Sequence, residues 1–306
     1  MIRIESLVKS FGPTRAVDGL TFNVERGEVL GFLGPNGAGK TTTMRMITGF
    51  IPPSEGRVTI GAYDVAESPL EAKRLIGYLP EAAPAYPDMT VHGFLTFAAD
   101  MRGLAGEAKK KAIGRVVDLC FLSSVLQQGI DTLSKGYKHR TCLAQALIHD
   151  PDVLVLDEPT DGLDPNQKHE VRNLIRELGK SKALVFSTHI LEEVDAACTR
   201  AIIIDRGRIV ANGTPRELRG MSLVAGAVTV AGQGVSGDGL AVLGRVEQAD
   251  GAWRVYPDKR HAPGELVRAV VDLAAREGWR LEALRTEEGQ LDEVFRRITL
   301  PDTAQK

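Results

Sequence analysis

At the start of the chain, apolar and polar positions alternate in short runs, the period-two pattern of strands. Ile2–Val8 and Leu20–Val24 read as strands, separated by the turn-rich Phe11-Gly12-Pro13-Thr14. Val29–Leu33 reads as a buried strand that runs straight into a glycine-rich loop, and Thr41–Thr48 has helical character up to Gly49. Another strand is predicted over Leu75–Leu79. From about Asp88 to Leu147 the pattern turns mostly helical, as an inserted subdomain would. Within it, Asp88-Met89-Thr90-Val91 reads as a helix cap.

Val153–Leu156 is wholly apolar, as expected for a central parallel strand covered on both faces, and Ala183–Phe186 and Ala201–Ile204 repeat that character. Between them Val171, Leu174, Ile175 and Leu178 share one helix face. Asp164 and Pro165 suit its N-cap and first position. Strands alternating with helices predict an α/β domain with a mainly parallel sheet, spanning residues 1–220 with a helical subdomain at about 88–147. Near Arg219-Gly220-Met221 the texture changes: glycines among strand-like residues, a helix from about Gly264 to Arg276, then an amphipathic tail of Leu291, Val294, Phe295 and Ile298. Residues 221–306 therefore read as a small separate α+β domain, with Trp253, Trp279 and Phe295 as core.

Composition narrows the class. The hydrophobic fraction of 43% and charged fraction of 25% fit an ordinary globular chain. A formal charge of −2 gives no support to a nucleic-acid footprint, and Lys109-Lys110-Lys111 reads as a solvated helix face. Cys120, Cys142 and Cys198 are sparse and form no CxxC pair, which suits a reducing cytoplasm. The first residues alternate like a strand and lack the apolar core of a signal peptide. No apolar stretch approaches the roughly 20 residues of a membrane-spanning helix. A soluble chain is expected, with any membrane role exercised through a partner.

Two segments carry chemistry. Gly34-Pro35-Asn36-Gly37-Ala38-Gly39-Lys40-Thr41 matches the GxxxxGK[ST] phosphate loop and lies between a predicted strand and a predicted helix. Its backbone N–H groups can cradle phosphate oxygens, helped by the positive end of the helix. Lys40 can reach the β and γ phosphates, the Thr41 hydroxyl can ligate Mg²⁺, and Thr42 follows within reach of the nucleotide. Asp157 and Glu158 end the apolar strand at 153–156. Asp157 is placed to hold Mg²⁺ and Glu158 to polarise an attacking water as general base.

Further runs resemble the ATP-binding cassette (ABC) ATPases. Leu133-Ser134-Lys135-Gly136-Tyr137 is similar to the signature motif. Asp157-Glu158-Pro159-Thr160 with Gly162-Leu163-Asp164-Pro165 is similar to the Walker B and D-loop run. Ser187-Thr188-His189 resembles the switch histidine, and Phe11 the aromatic that stacks on adenine. The order matches over about residues 2 to 219. The resemblance implies a P-loop NTPase fold, ATP and Mg²⁺ as cofactors, and a head-to-tail dimer in which Ser134 and Gly136 complete the other subunit's γ-phosphate site. It also implies that His189 helps Glu158 organise the water, and that Asp164 takes the D-loop role. ATP, ringed by N–H groups and helix N-termini from both subunits, would then act as removable glue.

Two positions depart from the family. The signature reads LSKGY where LSGGQ is commonest, placing Lys135 beside the retained Ser134 and Gly136. Tyr78-Leu79-Pro80-Glu81 puts a carboxylate where most members have the glutamine that senses Mg²⁺ and water; Glu81 can still ligate Mg²⁺ but repels a γ-phosphate. YLPE, LSKGY and GLDPNQ together are similar to a bacterial export branch that includes gliding-motility and multidrug-export types and relatives serving copper-enzyme maturation. Members often carry a short C-terminal domain, and Leu291-Asp292-Glu293-Val294-Phe295 is similar to their ending. The resemblance thus implies an ATPase subunit, as a homodimer or one half of a paired dimer, with an integral-membrane permease as partner. It would sit in the cytoplasm, peripheral on the inner face of the cell membrane, with no nucleic acid partner. Docking would involve the loop near Glu81 and the inserted helices. A soluble DNA-repair or translation ATPase would carry coiled-coil insertions or two cassettes. A non-hydrolysing regulator would not need both Glu158 and His189.

Overall fold

The computed structural model describes residues 1–249, 251–258 and 264–299. The chain divides into two compact units, Met1–Pro215 and a second from Arg216 onward, so the break lies just before the compositional change near Gly220.

The first unit is built on a six-stranded sheet. Its order is Arg208–Gly213, Arg200–Asp205, Val29–Leu33, Ala183–Thr188, Val153–Asp157 and Ile76–Leu79. All neighbours run parallel except the edge strand Arg208–Gly213. The apolar runs are explained by burial on both faces. Val153 and Val155 pack into one core with Met44, Ile47 and Phe32, while Leu154 and Leu156 point into another with Phe94, Val116 and Leu143. Ala183 and Val185 against Leu184 and Phe186 divide in the same way. The apolar runs Val153–Leu156 and Ala183–Phe186 are thus unbroken because alternate side chains serve different cores.

One core is closed by the helices Val91–Met101, Gly106–Leu119 and Lys135–Leu147, the last two joined through two single turns of 3₁₀ helix. Within the predicted cap run, Thr90 is the N-cap, its hydroxyl accepting the Gly93 N–H at 3.0 Å. The other core is closed by a four-stranded antiparallel sheet ordered Thr14–Val24, Ile2–Phe11, Glu55–Ile60 and Tyr63–Asp64. Three features differ from the sequence pattern. The first two strands extend to a tight hairpin at Phe11–Thr14. Glu55–Ile60, whose first three residues are exposed and polar or glycine, is a strand through its ladder with Ile2–Val8. Leu75 ends a short helix, Pro69–Leu75, started by Pro69, and the strand begins at Ile76.

The second unit is a four-stranded antiparallel sheet ordered Val246–Ala249, Ala252–Val255, Val228–Gln233 and Arg280–Thr286. A short helix at Gly237–Leu240 follows its first strand, and Glu265–Glu277 precedes its last. This order and connection form the split β-α-β arrangement. Val228, Val230, Val255, Leu266 and Val270 form its core, with Trp253 and Trp279 packed against them; the helix Leu291–Ile298 follows. Among the described residues, no helix is long and apolar enough to cross a membrane. Cys120, Cys142 and Cys198 are unpaired thiols.

Candidate active site

The loop Gly34–Gly39 leaves the strand Val29–Leu33 and enters the helix Lys40–Ile47, as its pattern predicts. Gly39 sits at φ 102°, and a Cβ there would stand 2.4 Å from the Ala16 carbonyl oxygen. Only glycine lets the hairpin strand approach so closely in that left-handed conformation. Around it, the Ala38 N–H donates to the Pro35 carbonyl at 3.2 Å and the Ala38 carbonyl accepts from the Gly207 N–H at 3.0 Å. Asn36 and Gly37 complete the exposed turn, and Thr41 and Thr42 lie half-buried in the first helical turn.

Lys40 is buried. Its Nζ donates to the carbonyl oxygens of Gly34 at 2.8 Å and Pro35 at 3.3 Å, and stands 3.9 Å from Glu158 Oε1. Burial lowers its pKa, opposed by the nearby charges of Glu158, Asp157 and Glu81. A cation held against the loop's own carbonyls is available to an incoming phosphate, a stronger acceptor.

The second wall comes from the paired strands Val153–Asp157 and Ala183–Thr188, whose register sets Asp157 opposite Ser187. The Ser187 hydroxyl donates to Asp157 Oδ1 at 2.5 Å and accepts the Glu158 N–H at 3.0 Å. Glu158 has φ 50°, an uncommon conformation for a residue with a Cβ, and it turns the carboxylate toward Lys40. There Oε2 meets His189 Nδ1 at 2.9 Å. Burial raises the Glu158 pKa, while His189 and Lys40 pull it down and Glu81 adds to the rise. A carboxylate whose ionisation is contested in this way suits proton transfer.

Asp157 Oδ2 is fully buried and has no hydrogen-bond partner. A naked carboxylate oxygen in the interior calls for a cation or an ordered water. Among the described residues there is no cluster of three or more acid, histidine or cysteine side chains fit to hold a metal alone. A single unpartnered buried carboxylate oxygen beside the phosphate loop fits Mg²⁺, which takes few protein ligands and keeps phosphate oxygens and waters. Glu81 is exposed in the loop after Ile76–Leu79 and lines, with Asp157, Tyr78, Lys135, Lys138 and His139, a cavity of about 470 Å³.

The remaining predicted positions fall into two places. Phe11 is half-exposed at the hairpin end, with Lys9 Nζ 5.2 Å from its ring centroid. Ser134 caps the helix Lys135–Leu147, its Oγ accepting the Tyr137 N–H at 3.4 Å. Gly136 has Gln167 against it so closely that a Cβ would stand 2.4 Å from Gln167 Oε1. Asp164 caps the helix Pro165–Gly179 through the Gln167 N–H at 2.9 Å. One chain therefore gathers Lys40, Asp157, Glu158 and His189, while Ser134 with Gly136 and Asp164 lie at the N-termini of two other helices, which meet where Gln167 packs on Gly136. Sequence reasoning missed the bridging job of Ser187, which only the strand register reveals.

An ABC transporter family model matches residues 17–161, and an AAA-domain model matches residues 129–195. The chain is 38% identical over 220 residues to the linearmycin resistance ATP-binding protein LnrL of Bacillus subtilis (strain 168), covering 71% of this chain and 70% of that protein. It is also 38% identical over 218 residues to the Nod factor export ATP-binding protein I of Burkholderia pseudomallei (strain 1710b), covering 71% and 72%. Among solved structures, the ATP-binding subunit of an ABC transporter superposes with a TM-score of 0.67 at 30% identity, covering 72% of this chain and 92% of that one. With a phosphate loop, an acidic strand end and a facing histidine in that frame, the chain belongs to the ATP-binding subunits of ABC transporters, of the multidrug and export type, and is an ATP-binding ATP hydrolase.

Proposed function

We propose that this chain powers export through a separate membrane permease by closing as a dimer around ATP. The observation that carries the reading is the meeting of Glu158 with both Lys40 and His189 at the mouth of the phosphate loop. Lys40 and the loop N–H groups bind and orient the triphosphate. Glu158 takes a proton from the attacking water, and His189 holds the carboxylate's other oxygen toward the reaction. Thr41 and Asp157, with Glu81 at the rim, hold Mg²⁺, which when bound neutralises charge on the phosphates. Phe11 stacks on the adenine.

Ser134 and Gly136 then act on the nucleotide of a second subunit, with Asp164 at the contact. The helix N-terminus at Ser134 favours an anion there. Residues 1–220 carry this cycle, with the helical insertion at about 88–147, and 221–306 form an accessory domain. The surface beside the Glu81 loop supports docking. Tyr86, Phe97 and Met101 are exposed there along a groove of about 420 Å³. An apolar, aromatic-lined groove suits a helix of a permease. On this reading the protein works at the inner membrane face from the cytoplasm.

A composite site makes hydrolysis depend on encounter. Specific ATPase activity should rise with protein concentration, and Ser134→Arg should abolish it while leaving nucleotide binding intact. Activity independent of concentration in a monomeric sample would contradict the proposal.

A further inference from the structure

Among the described residues, the buried acids are Asp157, Glu193 and Asp205. Glu193 lies in the first turn of the helix Leu191–Ala197, where an acid ordinarily faces solvent and complements the helix dipole. Here it is 1% exposed. A buried carboxylate costs several kcal/mol unless its oxygens are hydrogen-bonded. Both are. Thr160 Oγ1 donates to Oε1 and Thr188 Oγ1 donates to Oε2 at 2.6 Å, with Arg172 Nη2 3.9 Å from Oε1.

The two threonines are not equivalent neighbours. Thr160 lies two residues after Glu158, and Thr188 immediately precedes His189. Thr188 Oγ1 also accepts the Ile190 N–H at 3.0 Å, so it shapes the turn that presents the histidine. The strands end at Asp157 and Thr188. Beyond those ends the ladder stops, with the Glu158 N–H bond to Ser187 Oγ holding only the first residue, and Glu158 is in an unfavourable backbone conformation from which a loosely tethered turn can relax.

We propose that Glu193 is a positioning residue for the hydrolytic step. Its carboxylate clamps the Glu158–Thr160 turn to the Thr188–Ile190 turn and so sets the contact between Glu158 and His189. The inference rests on the reading of Glu158 as general base. Glutamine in place of Glu193 keeps the size but offers one accepting oxygen instead of two. One threonine hydroxyl then loses its acceptor, and the turns separate. A displacement near 1 Å at a reacting group can cost about 10²-fold in rate.

The test measures steady-state phosphate release and the affinity for fluorescent mant-ATP in Glu193→Gln, Thr188→Val and Thr188→Ser. For Glu193→Gln and Thr188→Val, kcat should fall roughly 10- to 100-fold with mant-ATP affinity unchanged. Thr188→Ser should recover most of the loss seen with Thr188→Val, and the Glu193→Gln, Thr188→Val pair should be no slower than Glu193→Gln alone. Unchanged kcat, a matching loss of mant-ATP affinity, or fully additive losses would overturn the clamp. If Glu193→Gln does not fold, the Val and Ser forms of Thr188 decide. Glu158→Gln run alongside separates the two readings. Full hydrolysis by Glu158→Gln overturns the base assignment and the clamp with it, whereas a stalled Glu158→Gln beside a fully active Glu193→Gln overturns the clamp alone.

Discussion

Glu158 and His189 meet at 2.9 Å across the ends of two neighbouring parallel strands, although their segments lie far apart in sequence. The contact follows from register: Asp157 pairs with Ser187, so the residues just beyond the ladder come together at the C-terminal ends of the two strands. Lys40 approaches the same carboxylate from the phosphate loop. Glu158, His189 and Lys40 are thus delivered by three adjacent strands of one sheet.

Glu81 adds negative charge to this cluster, raising the Glu158 pKa, and on the proposed reading it would also repel a γ-phosphate. Replacing it with glutamine removes the repulsion and keeps an oxygen ligand. The ATPase rate of Glu81→Gln should equal or exceed wild type. A severe loss in a steady-state phosphate assay would show that the carboxylate has a specific task.

Lys135 stands in the signature where glycine is usual, and its Nζ lies 2.7 Å from Asp161 Oδ2. That pairing directs its charge to the Asp161 side chain and lowers the Asp161 pKa. Both groups are well exposed, so the pair should contribute no more than about 1 kcal/mol. Lys135→Ala should therefore retain ATP binding and unfold within a few degrees of wild type. Loss of nucleotide affinity by calorimetry would mean that Lys135 contacts the nucleotide in its own chain.

His149 is held neutral by burial, with Arg102 adding repulsion, so its pKa falls from 6.5 to about 4 despite the bond between Nε2 and the Ile76 carbonyl. The unfolded chain takes up the proton first as pH drops. Stability from this group is complete above about 6.5 and declines as pH falls toward 4. His139, also lowered by burial, acts with the same sign. Thermal unfolding between pH 7 and pH 5 should therefore show a smaller drop in Tm for His149→Gln than for wild type. Equal drops would contradict the assignment.

The phosphate loop and the acidic strand end were legible in the sequence because each is a run of consecutive residues with a local geometric purpose. The central strands were legible because burial on both faces writes an unbroken apolar run. Glu55–Ile60 was not, since its polar first half is held only by pairing with Ile2–Val8. Nor was Glu193, which beside Glu192 reads as an ordinary solvated acid of a first helical turn. Its burial depends on Thr188, just across the strand-to-helix turn, and on Thr160, which only tertiary structure brings to it. The split β-α-β order of the second unit likewise depends on non-local pairing, although its glycine-rich strands and helix were visible.

Glu158 as the base that activates water is tested most directly by Glu158→Gln. Single-turnover phosphate release from that variant should fall by about 10²–10⁴ while ATP affinity is kept. Lys40→Ala serves as the contrasting control, losing roughly 10- to 100-fold in ATP affinity itself through a lost charge-assisted bond. Phosphate release by Glu158→Gln at the wild-type rate would contradict the account.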